Sequence, residues 1–161
     1  MTRLLLSTAG GLGLLRPAPG TWGSLPPVAL TMAMASSGPT PTLLALAALT
    51  VFAGILCVML APWYAVHFGQ TDPGAVVIDE VSGMSLCLLI ALAIAPEACV
   101  WPNVIWTTLI AFVLFRLLDI AKPPPIGTLQ QVPRGWGVLL DDLAAGSFAG
   151  IGAGLFTNWW F

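Results

Sequence analysis

The stretch VVIDEVSGMSLCLLIALAIA, residues 76–95, opens on a β-branched apolar run, carries the adjacent carboxylates Asp79 and Glu80, and then continues without another charge. A membrane-spanning helix needs about 20 mostly apolar residues. Residues 81–95 fall short of that length alone and reach it only if the helix starts before Asp79 and takes in 75–78. Two of the chain's seven acidic residues then stand in the first turn of an apolar helix. The helix dipole favours negative charge there, so capping alone accounts for the pair. Neighbouring residues sit about 100° apart on a helix, so at most one of the two points straight at a given partner.

The rest of the chain has the same character. Its 161 residues are 58% hydrophobic and only 7% charged, with a mean hydropathy of +0.94. Soluble domains carry about 25% charged residues, so this composition reads as an integral membrane protein. The expected fold is all-α: one membrane-embedded domain over 1–161, a helical bundle of about four to five hydrophobic helices with a short N-terminal interfacial helix. Residues 43–66, 100–118 and 143–161 are long and apolar enough to span, and the last ends on the interfacial anchors Trp159 and Trp160. Residues 25–35, after Pro26 and Pro27, are the weakest segment and either span by tilting or only dip in. Turn signals at 36–41, 69–74, 96–102 and 121–127 separate the segments, and Pro123–Pro125 must end the helix before them.

The N-terminal stretch MTRLLLSTAGGLGLL is interrupted by Gly10, Gly11 and Gly13 and lacks a small-residue cleavage site, so it reads as a surface helix or re-entrant segment of the mature protein. Cys57, Cys87 and Cys99 have neither paired nor metal-ligand spacing and read as buried apolar side chains. The net charge of −2 points to no partner class, and no nucleic-acid partner is expected.

Sidedness carries the functional signal. With residues 1–24 cytoplasmic and five crossings, the loops 67–80 and 119–142 share that side, and all five Lys/Arg residues (Arg3, Arg16, Arg116, Lys122, Arg134) fall there, as the positive-inside rule asks. Asp72, Asp79, Glu80, Asp119, Asp141 and Asp142 land on the same face. Acids near membrane depth are costly and come with partners or a job. Carboxylates are hard ligands that suit Mg²⁺ bridged to a phosphate.

Arg116, Asp119 and Lys122 recur every three residues, on one helix face. Asp119 sits near a helix C-terminus, where the dipole disfavours an anion, so Arg116, Lys122 or a bound cation must compensate. Asp141 and Asp142 again precede an apolar segment, after RGWG at 134–137, and capping is again the bland reading. In PGTWGSLPP, residues 19–27, the backbone N–H groups and the hydroxyls of Thr21 and Ser24 could hold phosphate. The lone histidine, His67, reads as interfacial. Gly146, Gly150 and Gly154 form a close-packing face, used within the bundle or as the contact of a homo-oligomer.

Three blocks, PGTWGSLPP (19–27), DPGAVVIDEVSGM (72–84) and FRLLDIAKPPPIGTLQQVPRGWGVLLDDLAAG (115–146), resemble the phosphatidylglycerophosphatase A family in content and order. The resemblance implies an Mg²⁺-dependent phosphomonoesterase of the bacterial inner membrane, multi-pass, with its site on the cytoplasmic side, converting phosphatidylglycerophosphate to phosphatidylglycerol and phosphate. Carried over by motif, Asp79, Glu80, Asp119, Lys122, Asp141 and Asp142 match the family's polar positions. The expected metal ligands are Asp79, Glu80, Asp119 and Asp142, and the expected catalytic carboxylates Asp79, Glu80, Asp141 and Asp142. Thr21, Ser24, Arg116, Lys122 and Arg134 are expected on the substrate phosphate. Asp79 is the first choice for general base or nucleophile, two routes the sequence does not separate. GQTDPG at 69–74 departs from relatives with histidine there, so no histidine role is expected in that loop.

The phosphatase motifs C-x5-R, D-x-D and P-S-G-H are absent. The alternatives are another lipid-phosphate phosphatase built on the same carboxylates, or a small membrane transporter. A transporter's coupling-ion site would lie in mid-membrane broken helices, whereas these acids stand at segment ends.

Overall fold

In the computed structural model, which describes residues 1–133 and 135–160, the acid-headed segment becomes helix α5. To number in chain order, α1 is Thr2–Ser7, α2 Pro19–Gly23, α3 Leu25–Met34 and α4 Pro39–Phe68. They are followed by α5 Ile78–Ile94, α6 Asn103–Ala121, α7 Ile126–Leu129 and α8 Trp136–Trp160. The described residues contain helices and turns only, as expected. The helices α4, α6 and α8 are each long and apolar enough to cross a membrane. α5, at 17 residues, is about 26 Å long, a little under the hydrocarbon thickness of about 30 Å.

α5 is the central post, and most of its surface is covered: Met84, Cys87, Leu88, Ala91 and Leu92 are wholly buried against Phe115 of α6 and Ala149 of α8. On its other side Val81 meets Cys57, Tyr64 and Leu139. The side chains turned outward, such as Phe52 and Met59 on α4, Leu117 on α6 and Leu155 on α8, are large and apolar, as a lipid-facing surface requires.

Because lipid is as apolar as leucine, helices in a membrane associate through close packing of small residues. That is how α8 meets α5. A Cβ at Gly146 would fall onto the Gly83 carbonyl; one at Gly150 would stand 2.6 Å from the Cys87 oxygen, and one at Gly154 3.0 Å from the Ala91 oxygen. The glycine face therefore packs inside the bundle, the first of the two uses its spacing allowed. Buried hydroxyls on the helices are satisfied by carbonyls one turn back, as Ser85 Oγ to Val81 O at 2.7 Å and Thr108 Oγ1 to Val104 O at 2.7 Å. Ser82 differs: its Oγ donates across to the Thr50 carbonyl of α4 at 2.9 Å.

α3, within residues 25–35, is too short to span by itself. α3 has ten residues, about 15 Å. α2 before it and a 3-10 turn at Ala35–Ser37 after it extend the segment in short pieces. One end lies at the head of α5, where Gly20 abuts Glu80 and Gly23 abuts Val77. At the other end Thr42 Oγ1 donates to Met34 O at 3.2 Å and to Gly38 O at 2.8 Å.

The ends of α4 and α5 are uneven. Gly54 of α4 lies level with Ser82 of α5, whose Oγ is 3.3 Å from where a Gly54 Cβ would be. From there α5 continues only to Ile78, about 6 Å, whereas α4 runs on to Phe68, about 21 Å. The head of α5 is thus recessed beside a helical wall. His67, on that wall, stacks on Trp63 with ring centroids 4.6 Å apart. The three cysteines are free and buried.

Candidate active site

The recess gathers the acids. α5 begins at Ile78, so Asp79 and Glu80 stand in its first turn, and Glu80 N donates to Asp79 Oδ1 at 3.0 Å. α8 begins at Trp136, so Asp141 and Asp142 lie in its second turn rather than at its entry. An N-terminal cap acts on the first turn only, so capping does not account for this second pair. α5 and α8 approach so closely that a Cβ on Gly83 would stand 2.7 Å from the Asp142 carbonyl oxygen. That contact brings the side chains together: one oxygen each from Asp79, Glu80 and Asp142 lie within 4.8 Å of one another. Asp79 and Asp142 are almost fully buried.

Asp119, near the end of α6, lines the same cavity of about 300 Å³, together with Lys122 and Asp72. The cations divide between two acids. Arg116 Nη1 donates to Asp119 Oδ2 at 2.7 Å, which answers the unfavourable dipole at that helix end. Lys122 donates to Asp141 Oδ2, across from α6 to α8. Lys122 can reach it because it closes α6 in a left-handed turn, φ 42°, ahead of the three prolines. Burial works against the charged ammonium, but the Asp141 hydrogen bond and the charges of Asp141, Asp142 and Asp119 outweigh it and hold Lys122 above its ordinary value. A raised amine stabilises the fold fully below its unfolded value of 10.5, so this pair persists through neutral pH and is lost only in strong alkali.

The stretch 19–27 contributes differently from expectation. Ser24 is fully buried and its Oγ donates to Gly20 O at 2.8 Å, while Thr21 is half-buried outside the acid cavity. What the stretch brings is Gly20, where a Cβ would land on Glu80 Oε1 and within 2.9 Å of the Arg116 guanidinium. α2 therefore lies directly over these two side chains. Its signal was the glycine spacing, not the hydroxyls. Asp72, seen in sequence only as one acid among six, also faces the cavity. Arg134, expected on the phosphate, lies outside the described residues.

Buried polar atoms without a partner are uncommon, and among the described residues four gather here: Glu80 Oε2, Asp142 Oδ2, Asp141 Oδ1 and Arg116 Nε. Three crowded carboxylates repel one another unless positive charge lies between them. An all-oxygen donor set of this kind fits a hard divalent cation such as Mg²⁺. The half-buried Lys122 lines the same recess, with the Arg116–Asp119 pair beside it, and such cations suit a phosphate brought alongside.

The family described as Phosphatidylglycerophosphatase A matches residues 5–157 of the chain. Over 148 residues the chain is 34% identical to "Phosphatidylglycerophosphatase A" of Haemophilus influenzae, covering 90% of this chain and 82% of that protein. It is 36% identical over 145 residues to the Escherichia coli protein of the same name, covering 88% and 76%. It is also 34% identical over 153 residues to a Bacteroides thetaiotaomicron protein named "Putative phosphatidylinositol-3-phosphatase", covering 91% and 87%. No solved structure matches the chain.

Proposed function

The chain belongs to the phosphatidylglycerophosphatase A family, and from that premise we propose that it hydrolyses phosphatidylglycerophosphate to phosphatidylglycerol and phosphate, with Mg²⁺, at the cytoplasmic face of a bacterial inner membrane. The observation that carries the reading is the convergence of Asp79, Glu80 and Asp142 in a recess ringed by Asp119, Lys122 and Arg116. The five Lys/Arg residues of the chain, counted on the sequence, favour the cytoplasmic side. The name of the Bacteroides relative favours, as a second reading, a wider range of lipids whose phosphate sits on a polyol.

Asp79, Glu80 and Asp142, with Asp119 beside them, would hold the Mg²⁺. When bound, the ion supplies charge neutralisation at the phosphate and a lowered pKa for a coordinated water. Lys122 and Arg116 bind phosphoryl oxygens and stabilise the charge that spreads over them in the transition state. Asp141 holds Lys122 in place and Asp119 holds Arg116, so both cations arrive already oriented. Asp79 is the reacting carboxylate: it takes the proton of the attacking water, or attacks phosphorus itself. In either route the bond between phosphorus and the headgroup oxygen breaks and that oxygen leaves as the lipid alcohol. Its proton comes from protonated Asp79 in the first route and from water in the second, where a further water then cleaves the phosphoryl group from Asp79 as phosphate. Acid-stable label on the protein after a quench with ³²P-substrate marks the covalent route.

The test is phosphate release from phosphatidylglycerophosphate by the detergent-purified chain. Release that requires Mg²⁺ and stops with EDTA is expected; no release from a folded sample, with metal present, overturns the proposal. Lys122→Met should cut kcat by about 10²-fold. It should also lower stability by about 2 kcal/mol, because Asp141 stays buried without its cation, a cost discounted here for the partial exposure of Lys122. Lys122→Arg should restore most of the stability. Thermal unfolding and initial rates measure both, and an active, stable Lys122→Met protein would remove Lys122 from the site.

A further inference from the structure

A second cavity, of about 760 Å³, adjoins the acid recess and shares Asp72 and Val138 with it. One wall is the small-residue side of α4, at Ala61 and Ala65, and the other carries Thr71, Asp72, Gln130 and Gln131. The two polar segments are joined across 58 residues of sequence by Gln130 Nε2 donating to Asp72 Oδ2 at 2.8 Å.

From this arrangement we propose that the cavity is the headgroup compartment of the substrate, and that Asp72 and Gln130 read the free hydroxyl of a polyol carrying the phosphate. The inference rests on the phosphatase reading above and names what lies on the leaving side of the scissile bond. The chemistry follows from the donor count. Among the described residues, this exposed Asp72 accepts one hydrogen bond, from Gln130, which leaves its other oxygen and the Gln130 carbonyl oxygen to accept from a ligand. A carboxylate and an amide oxygen side by side attract an O–H donor and repel a further anion. The phosphate therefore goes to the acid recess with its cations, and the neutral hydroxylated carbons go next door. Asp72 faces both compartments, so the hydroxyl it binds lies close to the carbon bearing the phosphoester. The apolar wall on α4 accommodates the CH₂ groups of the same headgroup, and the small side chains there leave the room.

The test compares two substrates in mixed micelles: phosphatidylglycerophosphate, and its analogue whose headgroup lacks the free hydroxyl. The wild-type chain should prefer the natural substrate by about tenfold or more in kcat/KM, the worth of a hydrogen bond to a charged acceptor. In Gln130→Ala the natural substrate should fall by that factor while the analogue stays within about twofold, so the preference collapses toward one. In Asp72→Ala, whose side chain also lines the acid recess, the preference should collapse alike whatever happens to the common rate. Ala65→Leu, which narrows the compartment without touching the pair, should slow both substrates alike through KM. A wild-type enzyme that turns over both substrates equally, or variants that keep the wild-type preference, overturn the compartment while leaving the phosphatase intact. Release from neither substrate by the folded wild type overturns the phosphatase reading itself.

Discussion

Asp142→Asn should lower Mg²⁺-dependent phosphate release by about 10³-fold or more while raising the Tm of the metal-free protein. The two effects have one cause. Asp142 is nearly fully buried, and one of its oxygens crowds those of Asp79 and Glu80 within 4.8 Å. The amide has the same shape, so packing is kept, while one of three mutually repelling charges is removed. What stabilises the empty fold therefore destroys the ligand set, and several kcal/mol of transition-state stabilisation corresponds to about three decades in rate. The same variant should lose its response to metal. A ligand at about 100 times its Kd adds about 2.7 kcal/mol to the folded state, so Mg²⁺ should raise the wild-type Tm and leave the Asp142→Asn Tm nearly still. Asp79→Asn should behave alike. Full activity together with an undiminished Mg²⁺ shift in both variants would send these residues back to an architectural role.

Gly146→Val should prevent stable folding. The clash is with a backbone atom, the Gly83 carbonyl, and no rotamer relieves it. α5 and α8 would have to separate. Ordinary overpacking costs about 1–3 kcal/mol; separating the central pair of the bundle should cost about 3 kcal/mol or more, read as lost Tm and lost monodisperse yield in detergent. The comparison is Gly152→Ala, six residues further along α8 and on another face. Its Cβ would meet only Leu114 Cδ1 at 3.5 Å, an ordinary contact. That substitution should be neutral or stabilising by up to about 1 kcal/mol, since alanine is the better helix former. Equal behaviour of the two variants would mean that α5 and α8 are not in backbone contact. The interface also sets the site: Gly83 lies one turn after Asp79 and Gly146 one turn after Asp142. Partial separation should thus cost activity before it costs the fold.

Hydropathy and punctuation made the long helices legible, because a run of apolar residues between proline and glycine clusters has few other solutions in a membrane. The entry of α5 was readable for the same reason: its apolar run reaches a useful length only by including Asp79 and Glu80. The start of α8 was not. RGWG at 134–137 carries two glycines and reads locally as a flexible loop, yet Trp136 and Gly137 belong to the helix. Close packing decides this, since a Cβ at Gly137 would stand 2.5 Å from the carbonyl oxygens of Gln130 and Val132. Moving the helix start moved Asp141 and Asp142 from an entry to an interior turn and changed what they can do. The pairing of Lys122 with Asp141 was equally hidden, because it needs both the α6–α8 contact and the left-handed turn at Lys122. Helical spacing suggested only the local neighbour, and that part held, for Arg116 with Asp119. The glycine period at 146, 150 and 154 was plain in sequence, but periodicity names a face and not its partner.

The unequal heights of α4 and α5 put the carboxylates below the end of α4, a recess that suits the headgroup of the lipid substrate proposed above. A substrate then reaches them by drifting sideways in its own leaflet, with its tails never leaving the hydrocarbon. The encounter is two-dimensional. Dilution with inert lipid starves such an enzyme even when the total amount of substrate is unchanged, and turnover follows how crowded the substrate is among its neighbours, not how much of it a litre of buffer contains.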